Sequence, residues 1–344
     1  MKFCVISNVP TNVAHGLGRY LQNLEIIFVN ELVHTYNLST LTSETIHYIN
    51  KNFDFVSVQV GIFNDEDDIP FHHLEKITIP KIATIHSVVD EEIRYLEECF
   101  SYYFPNVELT FSATYSISYE KKFLSLIDGF VFYTKSDKDI FYKYYKTVSK
   151  KYKVIQPSLD YIRNNLYSDK INRKNKIGYL GRVDYRKGVI ACLNSMEFLK
   201  DYKLDVYGLV LNKYDNVILN HYLKKYGNIE YHNLLKDKKT YFSDTFIFYG
   251  NSLYEPFGFS HMENLFNYVV PIIGKDTGTH ESFGKDYPFA VEDSVPQMVD
   301  TVYKIKNTTD KELYDIVDIT KEKLINFTNE NFKKNYFEYV NGFF

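Results

Sequence analysis

Tryptophan is absent from the 344 residues, and cysteine is scarce. The three cysteines, Cys4, Cys99 and Cys192, are scattered without the paired spacing of a metal site, and their odd number does not complete a disulfide framework. A structural zinc module and a disulfide-stapled secreted domain are thereby excluded, and a reducing compartment is expected. No run of eighteen apolar residues occurs, which excludes a membrane-spanning helix. Met1–Ser7 reads as a short strand, too brief for the apolar region of a signal peptide, so the cytoplasm is the expected location. Charge of one sign is also missing: 40 Lys and Arg against 44 Asp and Glu leave a net charge of −4, which gives no global signal for a polyanion partner. Internal repeats and low-complexity linkers are absent. What is present is a folded composition, 45% hydrophobic and 24% charged, in a chain long enough for two domains.

Strand and helix patterns alternate along the chain, which predicts a parallel sheet in each half and an α/β fold. Lys2–Val9 reads as the first strand and Pro10–His15 as a loop. Gly16-Leu17-Gly18-Arg19-Tyr20 then opens a helix whose apolar set, Leu17, Leu21, Leu24, Ile27 and Phe28, follows helical spacing. A strand, a glycine loop and a helix N-terminus together form an anion site, because free N–H groups and the helix dipole point at it. Phe53–Val60 and Ile82–Ile85 read as strands. His86 follows the latter directly, at the strand end where open α/β sheets bind ligands. Asp90–Tyr103 reads as an acidic amphipathic helix and Ile127–Tyr133 as a strand. The stretch Val154–Asp160, with Gln156-Pro157-Ser158 at its centre, marks a domain boundary. The expected domains are therefore 1–157 and 158–327. A last helix, Thr328–Asn341, places Phe332, Tyr336 and Val340 at i, i+4 spacing.

In the second half, the strand Lys176–Leu180 runs into Gly181-Arg182-Val183-Asp184-Tyr185-Arg186-Lys187-Gly188. Two cations at a strand end and the next helix start suit an anionic group: Arg grips phosphate oxygens in a bidentate way, and Lys adds a point charge. Further on, Glu255-Pro-Phe-Gly-Phe-Ser-His-Met-Glu263 reads as a tight turn opening a short helix, with Pro256 in its first turn. Phe259, Met262, Phe266 and Val269 recur at helical spacing. Glu263 lies at the edge of that stripe, where a half-buried acid needs a partner. An apolar strand, Val269–Gly274, and a polar loop, Asp276–Glu281, follow.

These segments, in this order, resemble the retaining GT-B glycosyltransferases, especially the large family 4. Glu255 and Glu263 match the family's E-x7-E signature. Gly181-Arg182 with Lys187-Gly188, Thr84-x-His86 and the Gly16/Gly18 loop match its other motifs, although Gly278-Thr279-His280 replaces its usual paired glycines. The resemblance implies two Rossmann-like domains with parallel sheets facing across a cleft and a C-terminal helix, 328–344, crossing back to the first. It assigns acceptor binding to 1–157 and nucleotide-sugar binding to 158–327. It implies that Arg182 and Lys187 neutralise a diphosphate leaving group and that Glu263 accepts hydrogen bonds from ribose hydroxyls. Glu255 would hold the donor sugar, and His86 would orient sugar or acceptor. Gly16, Gly18 and the backbone of Phe257, Gly258, Thr277, Gly278 and Thr279 would meet phosphate or sugar. Retention is then expected without a dedicated general base. No metal and no cofactor is required, since side-chain cations take that part and the nucleotide-diphosphate sugar is itself the substrate.

The acceptor is less constrained. Lys135–Lys187 carries fifteen Lys and Arg against five Asp. Together with Gln156-Pro157, which is similar to the linker of phage DNA α-glucosyltransferases, this makes a hydroxymethylated base in phage DNA the first expectation, with DNA held through 135–187 in a host cytoplasm. A base inside a duplex would have to be flipped out to react. A surface glycan, glycolipid or protein acceptor is the alternative within the same family. A sugar-nucleotide binder or epimerase on the same fold is the alternative outside transfer. The sequence names neither the sugar, the nucleotide base nor an oligomeric state.

Overall fold

The computed structural model describes residues 1–8, 16–59, 71–103, 113–210 and 213–344. The expected loop at 10–15 and the end of the expected strand at Val60 lie outside these residues. Contacts divide the chain into two compact units, Met1–Ser158 with Phe327–Phe344, and Leu159–Asn326.

The first unit is built on β1 (Phe3–Ser7), β2 (Leu32–Asn37), β3 (Phe55–Gln59), β4 (Lys81–Thr84), β5 (Gly129–Phe132) and β6 (Lys151–Val154), in the order β2-β1-β3-β4-β5-β6. Every pairing is parallel. β1, β3 and β5 are buried along their whole length. That explains the near-continuous apolar runs of β1 (FCVIS) and β5 (GFVF), since a parallel sheet is covered by helices on both faces. β2 is half exposed at the sheet edge. Its sequence, LVHTYN, lacks a clean alternation, and the sequence reading assigns it no element. The edge strand at the other side, β6, is mostly exposed and carries Lys151 and Lys153.

The C-terminal helix, Asn329–Asn341, is capped by Thr328 and packs in this first unit. Its buried Phe332 and Tyr336 join an aromatic core with Phe3, Phe28 and Phe55: Phe3 stacks on Phe55 at 4.7 Å, and Tyr336 lies 5.6 Å from Phe28 and 6.1 Å from Phe55. The Tyr336 hydroxyl is hydrogen-bonded to Ser57 Oγ at 2.9 Å.

The second unit carries β7 (Lys176–Leu180), β8 (Lys203–Tyr207), β9 (Ile229–Tyr231), β10 (Ile247–Gly250), β11 (Val270–Gly274) and β12 (Ala290–Val291), in the order β12-β11-β10-β7-β8-β9. All pairs are again parallel. The chain leaves β7 in one direction for β8 and β9, then returns to the other side of β7 for β10. The carboxyl ends of β7 and β10 are thus the topological switch point, where open α/β sheets hold ligands.

Two local expectations change. Pro256 is not in a helix: the helix is Phe259–Phe266, and Gly258 caps it at φ 84°. This left-handed turn separates the proline from the helix, and a glycine adopts it without a Cβ clash. The polar loop after β11 is also shorter than expected, because the Thr277 hydroxyl accepts from His280 N–H and starts a helix, Gly278–Phe283. Thr309 and Glu312 form the capping box that their spacing suggests.

Candidate active site

β7 ends where Gly181 and Arg182 begin a loop. Asp184 turns that loop into a short 3-10 turn, Tyr185–Lys187, by accepting from Lys187 N–H at 3.0 Å. Gly188 follows at φ 68°, with its backbone against Asn251, which leaves no room for a Cβ. Asn251 Nδ2 donates to Gly188 O at 3.3 Å, and Leu253 N–H donates to Arg186 O at 2.8 Å. The loop after β10 is thereby fastened to the loop after β7, and the side chains they carry are held in register.

At this join Lys187 Nζ donates to Glu255 Oε2 at 2.5 Å. Both side chains are mostly shielded, with 20% and 14% exposure. Burial pushes the Glu255 carboxyl up. The Lys187 ammonium, the His261 ring and the Phe257 N–H oppose it more strongly, so the group lies below the usual carboxylate range. Arg182 Nε lies 3.4 Å from Asp184 Oδ2 on the same loop. Glu263, inside the helix and only 4% exposed, has the partner its position demands: Lys238 Nζ at 2.6 Å, from the helix Lys238–Asp244.

The segment 277–279 is locked onto the Glu255 turn. Gly278 N–H donates to the Glu255 carbonyl at 2.8 Å, the Thr279 hydroxyl to the Phe257 carbonyl at 3.0 Å and the Thr277 hydroxyl to the Gly274 carbonyl at 2.8 Å. The Gly278 N–H expected to meet phosphate or sugar is therefore spent within the protein. Its service is to hold Glu255 rather than to greet a ligand.

Sequence reasoning missed two contributors. Lys238 gives no signal by spacing, because its partner lies 25 residues away. His261 sits in the middle of the E-x7-E stretch and is 2% exposed. Its Nε2–H donates to the Gly250 carbonyl at the end of β10 at 2.5 Å, and Nδ1 faces the Gly258 turn. Burial pushes its pKa down more than the Glu255 carboxylate raises it, so the ring is neutral at pH 7. A histidine placed where an amphipathic helix should carry an apolar residue was the available signal.

A third cluster lies on β8 and β9. Asp205, Glu230 and His232 bring their ligand atoms within 4.8 Å of one another. Lys176 Nζ lies 2.6 Å from Asp205, and Lys203 contacts both carboxylates. The lysines supply the countercharge that a metal would otherwise bring. His232, just past β9, stacks on Tyr207, the last residue of β8, at 4.6 Å.

The remaining expected residues lie in the first unit. Gly16 and Gly18 begin the helix Gly16–Ile27 after β1. Tyr20 of that helix packs edge-on against His86 at 5.1 Å. His86 Nε2 lies 2.7 Å from Gln59 Oε1 and its Nδ1 2.7 Å from the Tyr133 hydroxyl. The Gln59 amide nitrogen is directed at Ser57 Oγ and Thr84 Oγ1, so its oxygen accepts from His86 Nε2–H. Burial holds Tyr133 protonated, and its O–H donates to Nδ1. Both ring nitrogens are thus engaged, which fixes the ring and its tautomer.

The basic run 135–187 is divided between the two units at Ser158. In the second unit Arg163, Arg173, Lys174, Lys176 and Lys187 are committed to acidic partners. Among the described residues, no helix is long and apolar enough to cross a membrane.

No family model and no curated protein matches the sequence. Solved structures match in fold over nearly the whole chain. HepE from Anabaena, solved with UDP and glucose, is 11% identical with a TM-score of 0.73, over 99% of both chains. Sucrose-phosphate synthase from Thermosynechococcus elongatus is 12% identical with a TM-score of 0.72, over 99% of both chains. A UDP-forming α,α-trehalose-phosphate synthase from Burkholderia xenovorans is 10% identical with a TM-score of 0.67, over 99% of both. The fold is therefore α/β of the GT-B type, each unit a Rossmann-like parallel sheet.

Proposed function

We propose that this chain is a retaining glycosyltransferase that moves a sugar from a nucleotide-diphosphate sugar to an acceptor hydroxyl. The observation that carries the reading is the cation and acid set at the switch point of the second sheet, where Lys187 pairs with Glu255 beside Arg182. It is supported by fold neighbours whose structures were solved with UDP or UDP-glucose.

In this reading the second unit holds the donor and the first unit the acceptor. Arg182 and Lys187 take up the negative charge that grows on the diphosphate as the bond from the sugar carbon to the phosphate oxygen breaks. Lys187 is held in place by Glu255 until a diphosphate competes for it. Glu255 then faces the sugar hydroxyls and the positive charge on the ring. Glu263, polarised by Lys238, accepts from ribose hydroxyls. The backbone of Phe257, Gly258 and Thr279 supports that turn, and Gly16 and Gly18 approach the distal phosphate. The acceptor hydroxyl forms the new bond on the same face, and its proton passes to the departing phosphate oxygen, so configuration is retained and nucleoside diphosphate leaves. His86 acts as a positioning residue in the first unit. The cations make a metal or a cofactor unnecessary.

For the acceptor we propose a hydroxymethylated base in DNA, on the strength of Lys146 and Lys150 in the first unit, which have no ion-pair partner among the described residues. A glycan, glycolipid or protein acceptor is the competing outcome of the same experiment. A panel of nucleotide sugars is scanned by thermal shift; a donor at a hundred times its Kd stabilises the native state by about 2.7 kcal/mol. The stabilising donor, radiolabelled, is then offered to duplex DNA with and without hydroxymethylcytosine. Glu255→Ala and Lys187→Ala are each expected to lower turnover by about 10²–10³-fold while the fold survives. A panel with no stabilising nucleotide sugar, or near-normal turnover in either variant, overturns the assignment. Label entering lipid or glycan instead of DNA overturns the acceptor alone.

A further inference from the structure

The basic run leaves a residue of charge that the transfer site does not use. In the first unit the helix Lys135–Tyr144, the turn that follows it and the edge strand β6 border an open, shallow groove of about 580 Å³. Its wall carries Lys138, Lys143, Lys146 and Lys150, with Tyr142 and Tyr152 between them and Asp139 as its one acid. Lys138 is paired with Asp139 at 2.7 Å, and Lys143 reaches Glu91 at 3.3 Å. Lys146 and Lys150 have no ion-pair partner among the described residues. The Tyr142 and Tyr152 rings lie 5.5 Å apart, and Tyr152 is 47% exposed.

Lysines on an edge strand commonly serve only to prevent pairing with another sheet. That accounts for Lys151 and Lys153, which lie on β6 itself. It does not account for Lys146 and Lys150, which precede the strand and make the shallow groove positive. The geometry points to this groove as a docking site for the phosphate backbone of duplex DNA, separate from the switch-point site. Phosphate oxygens are met by Lys146, Lys150 and the tyrosine hydroxyls, a contact set that fixes a duplex in place without reading its sequence. An anionic membrane would carry the same charge, but it calls for a protruding apolar face. The groove is shallow and lined mainly by lysine and tyrosine, with Val148 as its one aliphatic residue.

The inference rests on the DNA-acceptor reading for its purpose, and its test uses no sugar donor. Binding of a fluorescein-labelled 20-base-pair duplex to the full chain is followed by anisotropy between 50 and 200 mM salt, with Lys146→Gln/Lys150→Gln as the variant. Each lost phosphate contact lowers the slope of log K against log salt by about 0.9. The double variant should therefore lose about 1.8 from the slope and bind roughly 60-fold more weakly at 0.1 M salt, with 1 M as reference. Its circular dichroism spectrum and its thermal shift with UDP-glucose should match the wild type. An unchanged slope and affinity in the variant overturns the proposal. So does sedimentation with phosphatidylglycerol vesicles that the variant loses while its DNA binding is unaffected. If the wild type binds DNA through this groove yet no nucleotide sugar shifts its melting, the docking site stands and the transferase reading falls.

Discussion

Replacing Lys187 with methionine tests the switch-point site without any substrate. The carboxylate of Glu255 is tolerated in its shielded position because an ammonium lies 2.5 Å away. Removing one partner of a buried pair costs about 3–5 kcal/mol. The 20% and 14% exposure of the two side chains places this one at the lower end, about 3 kcal/mol at pH 7.5. The pH dependence gives the sharper prediction. In the wild type the Glu255 pKa is depressed below its ordinary 4.5, so its contribution is present above that value and lost as pH falls through the folded-state pKa. In the variant burial is left without its main opponent, and the shift reverses. A carboxyl with a raised pKa binds its proton more tightly in the native state, so stability falls as pH rises through it. The stability gap between wild type and variant should then be about 3 kcal/mol at pH 7.5 and below about 1 kcal/mol near pH 4.5. Adding Glu255→Gln should recover most of the loss at pH 7.5. Without tryptophan to follow, urea titrations are read by far-UV circular dichroism. A gap of equal size at both pH values, or no recovery in the double variant, would refute the account of how this pair is held.

Three further outcomes are expected. His261→Leu should cost about 1–3 kcal/mol by leaving the Gly250 carbonyl without its donor, with partial rescue by His261→Gln; melting curves decide it, and an unaltered melting point for the leucine variant would contradict the bond. Gly258→Ala should lose about 1–2 kcal/mol from the left-handed backbone alone, and more from crowding against Thr279 and His261, so a variant as stable as the wild type would place the turn elsewhere. Lys238→Met should weaken UDP binding about tenfold by calorimetry, because Glu263 loses the 2.6 Å contact that fixes its carboxylate for accepting from ribose hydroxyls; an unchanged Kd would remove Glu263 from the ribose site.

Much of the architecture was open to reading because parallel sheets announce themselves. Buried runs such as Phe3–Ser7 and Val270–Gly274 are continuous and apolar. Cap residues mark the helices between: Thr134, Ser294, Thr309 and Thr328 all accept from the backbone at helix starts. β2 escaped because an edge strand is half solvated and need not alternate. The Gly258 cap was misread as a proline-led helix start because Pro256 satisfies the rule for that position equally well. In the site, residues close in sequence were legible, as Glu255 and Glu263 were. Lys238 was not, since nothing local links it to an acid 25 residues on. The spent N–H of Gly278 was likewise invisible, because only the folded turn brings the Glu255 carbonyl to it.

The helix Asn329–Asn341 has a consequence for how the protein is made. Phe332 and Tyr336 complete an aromatic core that otherwise comes from the first 55 residues, and the whole of the second unit is encoded between the two halves. During synthesis the second unit emerges with all its strands before the first can close. The earliest part of the polypeptide must therefore wait, with Phe28 and Phe55 lacking their Tyr336 contact, until the helix Asn329–Asn341 has left the ribosome. A nascent chain stalled before that point should engage chaperones through its beginning rather than its end.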